Sequence, residues 1–190
     1  LSEEEKKRGI VCASAGNHAQ GVAYTCNALE INFSVFMPAS TPAQKIAQVK
    51  MFGGEFCNII ITGDTFDDAY LAAEKYCEKT SQIFIHPFDD EKVITGQAGV
   101  AVEILNQLDV SPDFLFLPIG GGGLASGVCS YFSELSANTK IIGAEPEGAP
   151  SMKEALKANK VISLDKIDRF VDGASVKKFG DLCFDICKDK

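Results

Sequence analysis

The sequence predicts an α/β protein, two lobes of parallel β-sheet flanked by helices and incomplete at both ends. Three observations carry this expectation. Short β-rich apolar runs alternate with longer amphipathic stretches along the 190 residues, the pattern of βαβ units and a parallel sheet. Two of the apolar runs feed directly into loops of small residues that open helices, "ASAGNHAQG" at 13–21 and "PIGGGGLASG" at 118–127. Helix-start and helix-stop residues fall between the runs, at Thr41-Pro42 and at Gly53-Gly54.

In chain order, the apolar run Ile10–Ala13 is the first expected strand, and the helix-like stretch Gly21–Leu29 follows its small-residue loop. Phe33–Met37 is β-rich. Thr41 then offers a cap before a first-turn proline, opening a helix over Pro42–Phe52 that Gly53-Gly54 ends. Glu55–Ile60 is the third strand, and Asp64 is placed to cap a helix over Phe66–Lys79. Ile83–Ile85, a long helix over Lys92–Leu108, the buried-type strand Phe114–Pro118, a helix over Leu124–Leu135, the strand Lys140–Glu145 and a helix over Ser151–Asn159 complete the series. Residues 9–92 and 93–190 are expected to belong to two lobes, with 1–8 the end of a preceding helix. Both ends look cut, since "LSEEEKKRG" and "DICKDK" each sit inside a helical pattern.

Composition excludes several classes. A net charge of −8 argues against nucleic acid and anionic membrane, which attract basic surfaces. No apolar run approaches the roughly 20 residues that span a bilayer, and the charged N-terminus is not a signal peptide. Seven cysteines without a CxxC pair predict reduced, buried thiols in a cytoplasmic protein. Cys183 and Cys187 would share a helix face; with only two histidines in the chain, packing is expected there and not a metal.

Four consecutive glycines, Gly120 to Gly123, stand between a buried strand and a helix. Each can cost up to about 1 kcal/mol against alanine, so something must offset the cost. Backbone N–H groups converging on a phosphate, helped by the helix's positive end, would do so; a tightly packed turn is the other reading. The Walker pattern is absent, but Gly120, Gly122 and Ala125 satisfy G-x-G-x-x-A and Glu145 ends a candidate strand further on, which keeps a nicotinamide site open. In the first loop, Ser14 and Asn17 could cap the following helix, or the amides of Ala15 to His18 could hold an anion. Two such helix starts favour a cleft for a doubly anionic ligand.

"SAGNHAQG" followed by "PIGGGGLASG", with "MFGGEF", "HPFDDEKVITGQAG", "IIGAEPEGAPS" and "VDGASVKKFGD" in their order, resembles the threonine dehydratase (threonine ammonia-lyase) and serine racemase family of fold-type II pyridoxal-phosphate enzymes, whose fold is tryptophan synthase β-like. The resemblance covers essentially the whole chain. It implies pyridoxal 5'-phosphate as cofactor, an amino-acid substrate, and elimination of the β-hydroxyl of L-threonine, or of L-serine, to a 2-oxo acid and ammonia, as in isoleucine biosynthesis. Residues 9–92 would be the small substrate-loop domain and 93–190 part of the larger cofactor-binding domain. Gly120, Gly121, Gly122, Gly123 and Leu124 would cradle the cofactor phosphate. Asn17 would meet the ring 3-oxygen, and Gly173 would line the cofactor's other side. Ser14, Ala15, Gly16, Asn17 and His18 would grip the substrate carboxylate.

Departures from the family pattern sharpen this reading. The racemase branch carries an acid–base serine where this chain has Ala15, and a methyl group cannot move a proton; elimination is therefore favoured over racemisation. No metal is expected: Glu145 and the carbonyl of Ala149 match a cation site of some members, but Ser151 stands where a second carboxylate belongs, and only Glu147 could replace it. The family's Schiff-base lysine lies in a serine-phenylalanine-lysine context ahead of the first loop, which neither Lys6 nor Lys7 has, and Lys45, Lys50 and Lys177 read as exposed charges. The chain is thus expected to be an internal fragment, inactive alone, of a parent that forms a homo-oligomer. A serine racemase or serine dehydratase, or a nucleotide- or phosphate-binding module, are the competing readings.

Overall fold

A computed structural model describes residues 1–171 and 173–190. The chain divides into two compact units, 1–87 and 88–190.

In the first unit, helix α1 (Glu3–Arg8) leads into strand β1 (Ile10–Ala13), followed by α2 (Asn17–Ala28), β2 (Phe33–Met37), α3 (Ala43–Gly53), β3 (Cys57–Ile61), α4 (Phe66–Thr80) and β4 (Ile83–Phe84). The strands form one parallel sheet in the order β3-β2-β1-β4. The two central strands are buried along their whole length, as a parallel sheet covered on both faces requires. Alternation divides their side chains. Ile10, Cys12, Phe33, Val35 and Met37 pack with Ala19, Ala23, Cys26 and Val49 of α2 and α3. Val11, Ala13 and Phe36 face Ala69 and Ala73 of α4. Because α2 lies directly on the sheet, its contact positions are alanine and cysteine.

Several local expectations are corrected here. Within residues 1–8, α1 opens on a capping box in which Ser2 and Glu5 satisfy each other's backbone N–H groups. Thr41 does not cap α3, whose N-cap is Pro42 with no side-chain bond. Thr65, paired with Asp68, caps α4 in place of Asp64. The third strand starts later than predicted because Gly54–Phe56 form a single 3-10 turn, entered through Gly54 at φ +55°.

The second unit contains α5 (Glu91–Gln97), α6 (Gly99–Gln107), β5 (Phe114–Pro118), α7 (Gly123–Leu135), β6 (Lys140–Ala144), α8 (Ser151–Ala158) and α9 (Asp181–Cys187). Strands β5 and β6 pair in parallel. Leu115, Leu117 and Ile141 pack with Ala101, Val128 and Phe132 of α6 and α7. On the opposite face Phe114, Phe116 and Ile142 are exposed, Phe116 by 68%. The single helix predicted over Lys92–Leu108 is broken at Ala98. There the α7 backbone comes so close that a Cβ on Gly127 would lie 2.6 Å from the Ala98 nitrogen and the Ile94 oxygen.

Candidate functional site

The first loop is a tight turn at the C-terminal end of β1. The Ser14 N–H donates to the Phe36 carbonyl, still in register with the sheet, and the Ser14 hydroxyl accepts from the Gly16 N–H at 3.1 Å. Helix α2 begins at Asn17, four residues earlier than predicted, so Asn17 and His18 form its first turn. Neither Ser14 nor Asn17 caps it; the N-cap is Gly16, with no side-chain bond and no acidic residue in the first turn. Among the described residues, the N–H groups of Ala15, Asn17 and His18 meet no acceptor. Three residues therefore present open donors at the positive pole of a twelve-residue helix. Asn17 is exposed, while Ser14, Ala15, Gly16 and His18 are half-buried.

His18 is fixed rather than free. Its Nε2 lies 3.1 Å from the Ile85 carbonyl; a carbonyl only accepts, so Nε2 carries the proton in the neutral ring. Burial lowers its pKa to about 4. The imidazole is uncharged at neutral pH and anchors the loop to the end of β4.

In the second unit, β5 delivers the chain to the glycine loop through the Ile119 N–H, bonded to Ala144, and α7 starts at Gly123. Its N-cap Gly122 adopts φ +106°, a left-handed conformation that strains any residue with a Cβ. The first intrahelical bond is donated by Ser126 to the Gly122 carbonyl. Among the described residues, no acceptor takes up the N–H groups of Gly120, Gly121, Gly123 or Leu124. The loop's underside is packed. A Cβ on Gly121 would collide with the Phe88 ring, one on Gly122 would strike Phe179, and one on Gly120 would sit 3.2 Å from Ala174 Cα. The residues are small because the loop is tightly seated, and that seating leaves the donors open. This donor set fits a phosphate.

The other expected site residues are placed as follows. Gly173 has open space where a Cβ would lie. Glu145 is half-buried and its carboxylate accepts from the Met152 and Lys153 N–H groups, while Ala149 is buried and Glu147 exposed. No group of three His, Cys, Asp or Glu residues among the described ones is placed to hold a metal. Lys50 is exposed as expected, but Lys45 and Lys177 are half-buried. No helix among the described residues is long and apolar enough to cross a membrane.

A family model described as pyridoxal-phosphate dependent enzyme matches residues 1–190. The chain belongs to that family. Within this pyridoxal-phosphate-dependent enzyme family it is 56% identical over 188 residues to the biosynthetic L-threonine dehydratase IlvA of Halalkalibacterium halodurans, covering 99% of this chain and 45% of that protein. The IlvA protein of Bacillus subtilis is 56% identical over 184 residues, with 97% and 44% covered. The chain thus spans a little under half the length of these curated relatives. Among solved structures, the processed form of threonine deaminase isoform 2 from Solanum lycopersicum superposes with a TM-score of 0.92 at 42% identity, over 100% of this chain and 54% of that one. Maize serine racemase gives 0.90 at 32% identity, over 100% and 56%. The α/β fold of parallel sheets flanked by helices is the family's fold.

Sequence reasoning missed the residues that seat the glycine loop: Phe88, Asp89, Phe179 and Gly180. "HPFDDE" entered only as part of the resemblance, and nothing local in it points to a glycine run more than thirty residues downstream.

Proposed function

We propose that this chain carries the substrate loop and the phosphate cradle of a pyridoxal-phosphate-dependent lyase that eliminates the β-hydroxyl of L-threonine and, after hydrolysis, releases a 2-oxo acid and ammonia, with L-serine as a second substrate. The observation that carries the reading is the set of unclaimed N–H groups at Gly120, Gly121, Gly123 and Leu124, ahead of α7. They suit a phosphate dianion, and membership of the family supports reading that phosphate as the cofactor's. A nicotinamide module would leave the equally open donors at Ala15, Asn17 and His18 without a purpose.

Residue by residue, the roles follow from the donors. Gly120 to Leu124 bind phosphate oxygens through backbone N–H groups, with the α7 dipole adding to the attraction. Gly173 leaves room beside the ring. The exposed Asn17 amide is free in type to donate to the ring 3-oxygen. The α2 amides at Ala15, Asn17 and His18 orient the substrate carboxylate. When bound, the cofactor supplies the electron sink for the pair left at Cα, and the protein contributes orientation and charge. His18 holds its proton on Nε2, committed to Ile85, so it positions the loop and does not exchange a proton with substrate. Ala15 has none to give. A proton delivered from this loop to the second face of Cα has no donor side chain, which supports elimination over racemisation.

Calorimetric titration of the chain with pyridoxal 5'-phosphate and with pyridoxal tests this. Saturable binding is expected for the phosphorylated form, with the unphosphorylated ring bound far more weakly. Equal affinity for the two, or preferential binding of a nicotinamide dinucleotide, would overturn it. Borohydride treatment that fixes the cofactor on a lysine among these 190 residues would overturn the expectation that none of them anchors it.

A further inference from the structure

The glycine loop is held by residues that no local pattern connects to it. The Phe88 ring occupies the volume where a Gly121 side chain would be, and a Cβ on Gly123 would lie 3.0 Å from Phe88 Cβ and 3.1 Å from its Cα. The loop therefore rests directly on this residue. On its other side, the Gly121 carbonyl accepts from the Gly180 N–H at 3.0 Å, and Phe179, fully buried, takes the place of a Gly122 side chain. What fixes residues 179–183 is the next side chain in the first segment. Asp89 accepts from the Asp181 N–H through Oδ2 at 2.9 Å and from the Cys183 N–H through Oδ1 at 3.0 Å, capping α9. The Cys183 thiol in turn lies 3.5 Å from the Phe88 carbonyl. Two adjacent residues thus brace the loop from both sides, Phe88 by contact and Asp89 through α9.

We propose that Phe88 and Asp89 are positioning residues for the phosphate cradle, holding the open N–H groups of Gly120 to Leu124 in the arrangement that receives a phosphate. This rests on the pyridoxal-phosphate reading of the site. The physical reason is preorganisation: a glycine run left without a seat samples many conformations, and ligand binding must then offset the ordering of the loop. Phe88 acts on the phosphate end of the ligand only, so its removal changes phosphate selectivity and not general affinity for the ring.

The experiment uses the whole chain, with pyridoxal 5'-phosphate and pyridoxal as probes in calorimetry and amide exchange of ligand-free protein as a second readout. Phe88→Ala is expected to weaken pyridoxal 5'-phosphate about tenfold, a cost of roughly 1.4 kcal/mol, and to leave pyridoxal nearly unchanged, so that the ratio between them collapses. Phe88→Leu should retain most of the ratio. Gly121→Ala, which collides with the ring, should lose affinity similarly, yet add little further loss in a Phe88→Ala background where the space has opened. Asp89→Ala should reproduce the loss of selectivity, and in both single variants the Gly180 amide should exchange faster. An unchanged ratio together with unchanged Gly180 protection in Phe88→Ala overturns the proposal, as do Phe88→Ala and Gly121→Ala losses that simply multiply. If the native chain itself fails to prefer the phosphorylated cofactor, the cofactor reading falls, and Gly180 exchange still decides whether Phe88 and Asp89 hold the loop.

Discussion

Glu145 holds the first turn of α8 with both carboxylate oxygens, Oε1 accepting from the Met152 N–H at 2.7 Å and Oε2 from the Lys153 N–H at 2.9 Å. The buried Ser151 hydroxyl lies 3.4 Å from the same Oε1. This is a capping arrangement supplied from the end of β6, which leaves the helix's positive pole occupied by a charge of this chain. Glu145→Ala is expected to cost about 1 kcal/mol of unfolding free energy, read as a lower midpoint in denaturant. Affinity for pyridoxal 5'-phosphate should be unaffected; a loss of binding without a loss of stability would contradict the capping role.

His18 gives the protein a pH dependence of definite sign. Its folded pKa, near 4, lies below the ordinary value of 6.5 because burial penalises the charged ring. The unfolded chain therefore binds a proton that the folded one refuses between those values, and stability falls as pH drops from about 6.5 to about 4. Above that window the residue contributes no slope. Across that window thermal melts should show the native chain losing stability relative to His18→Gln, whose amide can still donate to Ile85 but does not titrate. Parallel curves across the window would remove His18 from the account.

Two glycines of the candidate site should respond very differently to alanine. Gly122 sits at φ +106° against Phe179, with Cys183 Cβ 2.7 Å from where its own Cβ would be. Gly122→Ala combines backbone strain with overpacking and is expected to destabilise by at least about 2 kcal/mol. Gly16 has negative φ and open space around the added carbon, so Gly16→Ala should change stability by no more than about 0.5 kcal/mol. Denaturant midpoints of the two variants compare the positions directly. Any effect of Gly16→Ala on amino-acid binding would then belong to the ligand and not to folding.

The thiols divide by environment. Burial pushes Cys26 and Cys183 up to about 12 and Cys12 higher. Cys187 goes the other way, lowered because the Cys129 thiol donates to it, while Cys129 itself is raised. Native alkylation at pH 8 followed by peptide mapping should modify the half-buried Cys57 and Cys77 first. Among the five buried thiols, Cys187 should follow ahead of Cys12, Cys26, Cys129 and Cys183. Equal labelling of Cys187 and Cys183 would show that access alone governs both.

The parts of this protein that sequence exposes are those governed by neighbours in the chain. β1, β2 and β5 match their expected bounds because short apolar runs bounded by turn residues fit strands of a parallel sheet, whether one face or both are covered. The loops of open donors were visible for the same reason, since small residues ahead of a helix have few other uses. What escaped depends on distance. The break at Ala98 is imposed by Gly127, on a different helix, and the true start of α2 at Asn17 follows from the Ser14 turn. Asp89 shows the limit most plainly: its carboxylate serves amides 92 and 94 residues away, and beside Asp90, which caps α5 locally, it reads as an ordinary surface charge. The exposed aromatic pair Phe114 and Phe116 was likewise hidden, because a fully apolar strand gives no sign of which face is covered.

The brace across Phe88, Gly121 and Gly180 also orders events in time. Unit one can close its sheet as soon as the residues up to Phe84 are available, since its strand pairings lie within that span. The phosphate loop cannot take its final form until residue 183 arrives, about a hundred residues later and, at ordinary synthesis rates, some 5–20 s behind. During that interval four glycines leave the ribosome with their floor in place and their far wall still unmade. The loop is therefore among the last features of its unit to acquire a shape, and a nascent chain halted before Phe179 should have α5 to α8 but not its grip on phosphate.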